Sequence, residues 1–271
     1  MPEGTNRLLG RDAQRIISFL NNADFEDRNK LDRLITNHNL ALDTAATRNN
    51  FLNLWSVLEI IGVSEHDDAK IIEIMDAVIP VLQRNYVRLI FRKLHDYVKA
   101  NISKAEYQSL LANVSEEGDD IFKIACVVIL EKYDSQRNNL CSHSLAHYPL
   151  IRSRISQMHT DIFCNKRSLL KELNRYESRL KWHIQRLYRT RNAIIHSGEE
   201  PINLRYLSEH LHDYVDEIMT EIIEKLACDN SLANIDNVIM NSQVFMKSIS
   251  TEYKGNKDTL SEQDIRLLIG Y

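Results

Sequence analysis

An all-α fold follows from three features of the sequence. Only seven glycines and four prolines occur in 271 residues, and no glycine lies between Gly118 and Gly198. Both residues interrupt helices, so their scarcity favours long, unbroken ones. Leu, Ile, Arg, Lys, Glu and Asn recur at three- and four-residue steps, and alternating β-branched runs are absent.

The elements can be taken in chain order. "RDAQRIISFLNN" predicts a first helix, and "DRNKLDRLITNHNLA" a second or a helical hairpin. One helix is expected from about Leu40 to Ile61, closed by Gly62. Its stripe is Leu40, Thr44, Thr47, Phe51, Leu54, Trp55, Leu58 and Ile61. Pro80 interrupts the next apolar run, predicting two helices or one kinked helix. "NVSEEGDD" is an acidic loop in which Asp119 or Asp120 can cap the apolar helix "DIFKIACVVILEKYD". "SQRNNLCSHSLAHYPL" predicts a shorter helix ending near Pro149. The longest helix is expected from Arg167 to His196, and Gly198 suits a left-handed C′ position. Beyond Pro201, helical spacing resumes in "LRYLSEHLHDYVDEIMTEIIEKLA" and "SLANIDNVIMNSQVFMKSIS", and "DTLSEQDIRLLIGY" forms a short last helix or a tail.

The bulk composition narrows the function classes. Hydrophobic residues make up 44% and charged residues 27%, with a formal net charge of −4. That is ordinary globular composition, and any basic surface must be local. Cys126, Cys141, Cys164 and Cys228 form no C-x-x-C pair, and Cys126 sits in an apolar run that marks it as core. The N-terminus has no apolar signal core, and no apolar run approaches ~20 residues. A cytoplasmic protein with reduced cysteines and no membrane partner is the expectation.

Charge is concentrated in the longest helix. From Arg167 to Arg191 there are eight Lys and Arg against Glu172 and Glu177 alone. Leu169, Leu173, Tyr176, Leu180, Ile184 and Leu187 form its apolar stripe. Arg175, Arg179, Arg186 and Arg189 are candidate contacts to an RNA backbone. The alternative is a solvated face whose cations offset the helix macrodipole and cover apolar neighbours.

Arg191 stands where the stripe calls for an aliphatic side chain. A guanidinium keeps its charge, so it needs either a carboxylate partner, Glu59 being one option, or a cleft that receives an anion. His196 follows five residues later, about 140° around an ideal helix. Two routes bring the groups together: loosening of the last turn before Gly198, or a second copy across a two-fold axis.

Arg191-Asn192-Ala193-Ile194-Ile195-His196, within "RLYRTRNAIIHSGE", resembles the R-x4-H signature of the HEPN superfamily, in particular its ApeA-like branch. "NNFLNLWSVLEII" is similar to the helix that packs on the motif helix there. The resemblance covers roughly residues 38 to 227. It implies an HEPN-like helical bundle at 38–227, with an N-terminal helical extension at 1–37 and C-terminal helices or tail at 228–271. It also implies a homodimer, metal-independent RNA cleavage without a cofactor, and a role as a toxin or anti-phage effector with an antitoxin or defence-complex partner. Other members are inactive scaffolds. Relatives in this branch often carry an N-terminal β-rich domain, which is not expected in these 271 residues.

The residue types suit the chemistry. RNA supplies its own nucleophile, the 2′-hydroxyl, so an enzyme need only move protons and stabilise the phosphorane. The imidazole of His196 can shuttle a proton near neutral pH. Arg191 can hold the non-bridging oxygens, and Asn192 can position Arg191 or donate to the phosphate.

Other constellations are weaker. Cys141, His143 and His147 lie close together, and the i,i+4 histidines could hold zinc, but no Glu or further ligand follows them in the form a metalloprotease needs. His210 and His212 face different ways on a helix. No phosphate-binding, dinucleotide or serine-hydrolase motif occurs. Trp55 and Trp182 suit core or dimer-interface roles, whereas Trp182 and Tyr188 could instead stack bases. Three classes remain: an HEPN ribonuclease, a non-catalytic HEPN module with Arg191 in a structural ion pair, and a helical nucleic-acid-binding adaptor using only the basic helix.

Overall fold

The computed structural model describes residues 25–62, 71–228 and 234–270. The helix expected in "RDAQRIISFLNN" lies outside them. Among the described residues the chain is helical, with no strand. Its α-helices are α1 (Phe25–Asp43), α2 (Thr47–Gly62), α3 (Ile71–Asn101), α4 (Lys104–Ala112), α5 (Asp120–Ile129), α6 (Asp134–Asn139), α7 (Pro149–Gln157), α8 (Lys166–Ser197), α9 (Leu204–Cys228), α10 (Ile235–Tyr253) and α11 (Glu262–Ile269). They fall into two compact units. The first gathers the described residues up to Gln83 with Glu177–Met246, and the second Arg84–Tyr176 with the residues from Lys247. The sequence-based boundary at residue 37 falls within α1.

In the first unit, α2 packs against both α1 and α9. Phe51, Leu54, Trp55, Leu58 and Ile61 are buried, as their spacing predicts. The single helix expected from Leu40 to Ile61 is instead broken at residues 44–46, and Leu40 is 50% exposed at the end of α1. Side chains compete for the backbone here: the Thr44 hydroxyl donates to Leu40 O, and Asn50 Nδ2 donates to Ala41 O at 2.7 Å. Such local capture ends a helix without glycine or proline.

Pro80 sits inside the continuous α3. Lacking an N–H, it leaves the carbonyl of Asp76, four residues back, without its helical donor. Gln243 Nε2 donates to that carbonyl at 3.0 Å, which lets the helix continue.

In the second unit, α5 is buried nearly all round, from Phe122 to Ile129 apart from Lys123, and α11 packs on it. Cys126 is part of this core; burial pushes its thiol up to about 12, so it is inert at neutral pH. Asp119 is the N-cap of α5, its carboxylate accepting from Phe122 N–H at 2.8 Å. Asp119→Ala is expected to cost about 1 kcal/mol, read as a lower urea midpoint with an unchanged slope. The helix expected in "SQRNNLCSHSLAHYPL" is only partly formed. α6 gives way to a wider turn in which Leu145 N–H reaches Leu140 O at 2.8 Å, and Pro149 opens α7 rather than closing a helix. A second such turn links α7 to the segment before α8, with Phe163 N–H on Met158 O at 2.8 Å.

Candidate functional site

The C-terminal half of α8 is set in the first unit by its apolar stripe. Leu180, Ile184 and Leu187 are each at most 1% exposed, and Ile194 is fully buried. Tyr188 is part-buried and leans on the Trp55 ring, 5.9 Å between centroids. α8 ends at Ser197 and Gly198 takes φ +70°, the left-handed stop its sequence predicts.

Arg191 continues the buried stripe and finds an acid there. Its Nη2 lies 3.1 Å from Glu59 Oε1 on α2, and its Nη1 donates to Asn192 Oδ1 at 3.2 Å. Glu59 also accepts from Trp55 Nε1 at 2.7 Å, so the carboxylate is anchored before it meets the arginine. The pair is part-buried: 26% of the Arg191 side chain and 29% of that of Glu59 stay open. A guanidinium held at one edge and open at another retains donors for an anion.

His196 lies elsewhere on the helix. It is exposed and makes no hydrogen bond or ion pair among the described residues. Loosening of the last turn, one of the two routes the spacing left open, does not occur. α8 stays helical to Ser197, whose hydroxyl donates to Ala193 O at 2.6 Å, and Arg48 Nη2 donates to Ile194 O at 3.1 Å. Arg48 thereby occupies one of the carbonyls a helix end leaves over and places a cation at its negative pole. Within one chain the Arg191 and His196 side chains therefore diverge by about 140°. Asn192 stands between them, in contact with Arg191 and, at the i,i+4 spacing, a neighbour of His196 across one turn.

The outer face of α8 carries Trp182, Arg186, Arg189 and His196, four, three and seven residues apart and so aligned. Trp182 is 64% exposed with the Arg186 guanidinium 5.8 Å from its ring centroid. Arg175, Arg179 and Arg189 are exposed. The cations are less isolated than the sequence suggests. Glu172 lies 3.5 Å from Arg175, and Glu177 lies 2.6 Å from Lys181.

Cys141, His143 and His147 do not come within reach of one ion. His210 and His212 face different neighbours, as their spacing predicts. His210 packs edge-on against Tyr206 and His183, whereas His212 meets Asp216. Two clefts of about 490 and 690 Å³ lie in the second unit, around His159 and Cys164 and around Arg137 and Cys141. Among the described residues no helix is long and apolar enough to cross a membrane.

Sequence reasoning did not find Arg48. Nothing in its spacing links it to a helix that is 146 residues distant. Among the described residues, these observations define an all-α protein whose longest helix ends in a restrained arginine, the asparagine bonded to it and a histidine without a hydrogen bond. Comparison with known protein families, with curated proteins and with solved structures returns no match to the chain.

Proposed function

We propose that this protein is a metal-independent endoribonuclease of the HEPN type that acts as a homodimer, with Arg191, Asn192 and His196 as its catalytic residues. The observation that carries this reading is the setting of the two side chains, Arg191 and His196. An exposed imidazole without a protein partner stands one turn from an asparagine that restrains a part-open guanidinium. A histidine serving only the helix end has no use for that grouping.

Because one regular helix separates the side chains, the reacting phosphodiester sits where two copies of α8 meet, and each copy completes the other's site. In the reaction, His196 of one copy accepts the 2′-hydroxyl proton. The 2′-oxygen attacks phosphorus, and Arg191 opposes the growing charge on the non-bridging oxygens. The P–O5′ bond breaks, and the departing oxygen takes a proton from the second imidazolium. The products are a 2′,3′-cyclic phosphate and a 5′-hydroxyl, and DNA is inert because it lacks the nucleophile. Arg175, Arg179, Arg186 and Arg189 contribute phosphate contacts and a salt-dependent affinity. Such an activity fits a toxin or anti-phage effector restrained by an antitoxin or defence-complex partner.

The test is incubation of the pure protein with total RNA in excess EDTA, followed by identification of the new ends. Cyclic phosphates formed at an undiminished rate are expected. A second reading has one observation in its favour, the Arg191–Glu59 pair, which suits a non-catalytic HEPN scaffold or RNA-binding subunit. It expects RNA binding with intact RNA recovered.

A further inference from the structure

We propose that His38, His212 and Asp216 form a binding site for one divalent transition-metal ion, with zinc as the representative, tying α1 to α9. All three belong to the first unit. His212 and Asp216 lie one turn apart on α9, the i,i+4 spacing that puts two ligands on one face, and His38 arrives from α1. His38 Nε2 is 2.7 Å from Asp216 Oδ1, and His212 Nε2 is 3.4 Å from the same oxygen. One ligand atom from each residue falls within 4.8 Å of the other two. Ligands bonded at 2.0–2.2 Å around a tetrahedral ion stand about 3.3 Å apart, so small side-chain movements complete the geometry.

A second observation concerns His212 itself. Its Nε2 is buried yet has no hydrogen-bond partner, although Asp216 Oδ1 lies 3.4 Å away. A sequestered imidazole nitrogen of this kind is unfavourable unless something coordinates it. The two rings stack at 5.7 Å between centroids with an interplanar angle of 26°, so their Nε2 atoms face the same carboxylate. An ion placed there takes both nitrogens and the carboxylate. The ligand set is two imidazoles and one carboxylate, which suits zinc and its neighbours better than magnesium or calcium, the partners of all-oxygen sites. The Asp216 side chain is 39% exposed, leaving room for water as a fourth ligand. The site lies apart from the Arg191 grouping in residues and in chemistry, and it holds whether or not the chain cleaves RNA.

The test is isothermal titration of the chelator-stripped full chain with Zn²⁺, alongside H212Q, D216N and a Cys141→Ser/His143→Ala control. One ion per chain is expected. H212Q and D216N, with unchanged circular dichroism, should each bind at least about 100-fold more weakly, beyond the usual range for outer-sphere changes. The control should bind as the parent does. Cobalt in place of zinc should give visible ligand-field bands without a thiolate charge-transfer band, a readout that needs no variant. Equal affinity in all four proteins, or a thiolate band, would overturn the assignment.

Discussion

His196→Ala is expected to lower RNA cleavage by about 10²–10⁴-fold, the contribution of a positioned general acid–base group. Fold and RNA affinity should be unchanged. The imidazole is exposed and bonded to nothing among the described residues, so its removal disturbs no contact. Surface substitutions of that kind usually stay within about 0.5 kcal/mol. Arg191→Ala differs in kind. It strands the Glu59 carboxylate, which Trp55 still holds, and should cost about 1–2 kcal/mol of stability as well as activity. Glu59→Gln separates those effects, since the amide oxygen can still accept from Trp55 while the ion pair is lost. A catalytic arginine predicts that Glu59→Gln keeps substantial cleavage and Arg191→Ala does not. A purely structural pair predicts that both destabilise alike and that neither alters a cleavage rate, there being none. Single-turnover cleavage of a defined RNA, read beside urea midpoints, checks both. Full activity in His196→Ala would end the ribonuclease reading.

The motif helix was legible because local chemistry defines it. Gly198 stops it, Leu169 to Leu187 give it a buried face, and the place of Arg191 on that face calls for an acid, which Glu59 supplies. What stayed hidden depends on partners distant in sequence or on competition between weak local bonds. The break after Asp43 comes from Thr44 and Asn50 side chains taking carbonyls at a point with no glycine or proline to announce it. The two wide turns at Leu140–Ser144 and Met158–Ile162 likewise have no simple sequence mark. The two units interleave, α3, α8 and α10 each contributing residues to both, and no composition shift along the chain reveals that. His38 and Asp216 stand 178 residues apart, so their pairing has no motif to betray it. The regular last turn of α8 matters most for function. Spacing left open whether one chain could bring Arg191 and His196 together, and the intact helix keeps the two side chains apart within one chain.

Arg137→Met is expected to destabilise the second unit by about 1–3 kcal/mol, the usual consequence of leaving buried acceptors unsatisfied. Arg137 is 6% exposed, and its guanidinium holds the C-terminal end of α5. Nη1 donates to Val127 O at 3.1 Å, Val128 O at 3.2 Å and Leu130 O at 3.4 Å, while Nη2 reaches Asp134 and His159. His159 Nδ1 lies 3.0 Å from Val128 O, an acceptor only, so that nitrogen carries the proton and Nε2 accepts from Arg137 at 3.0 Å. The Val127 and Val128 carbonyls are among those the end of α5 leaves without internal donors, and they are buried beside an apolar core, whereas Leu130 O also accepts from Tyr133 N–H at 3.1 Å. Methionine fills much of the volume but donates nothing. Lysine keeps the charge on a single nitrogen that cannot fork to several carbonyls and the Asp134 carboxylate together, so Arg137→Lys should fall between the two. Urea unfolding with hydrogen exchange at the α5 amides measures the effect. A loss below about 1 kcal/mol for Arg137→Met would mean that water replaces the guanidinium at that helix end.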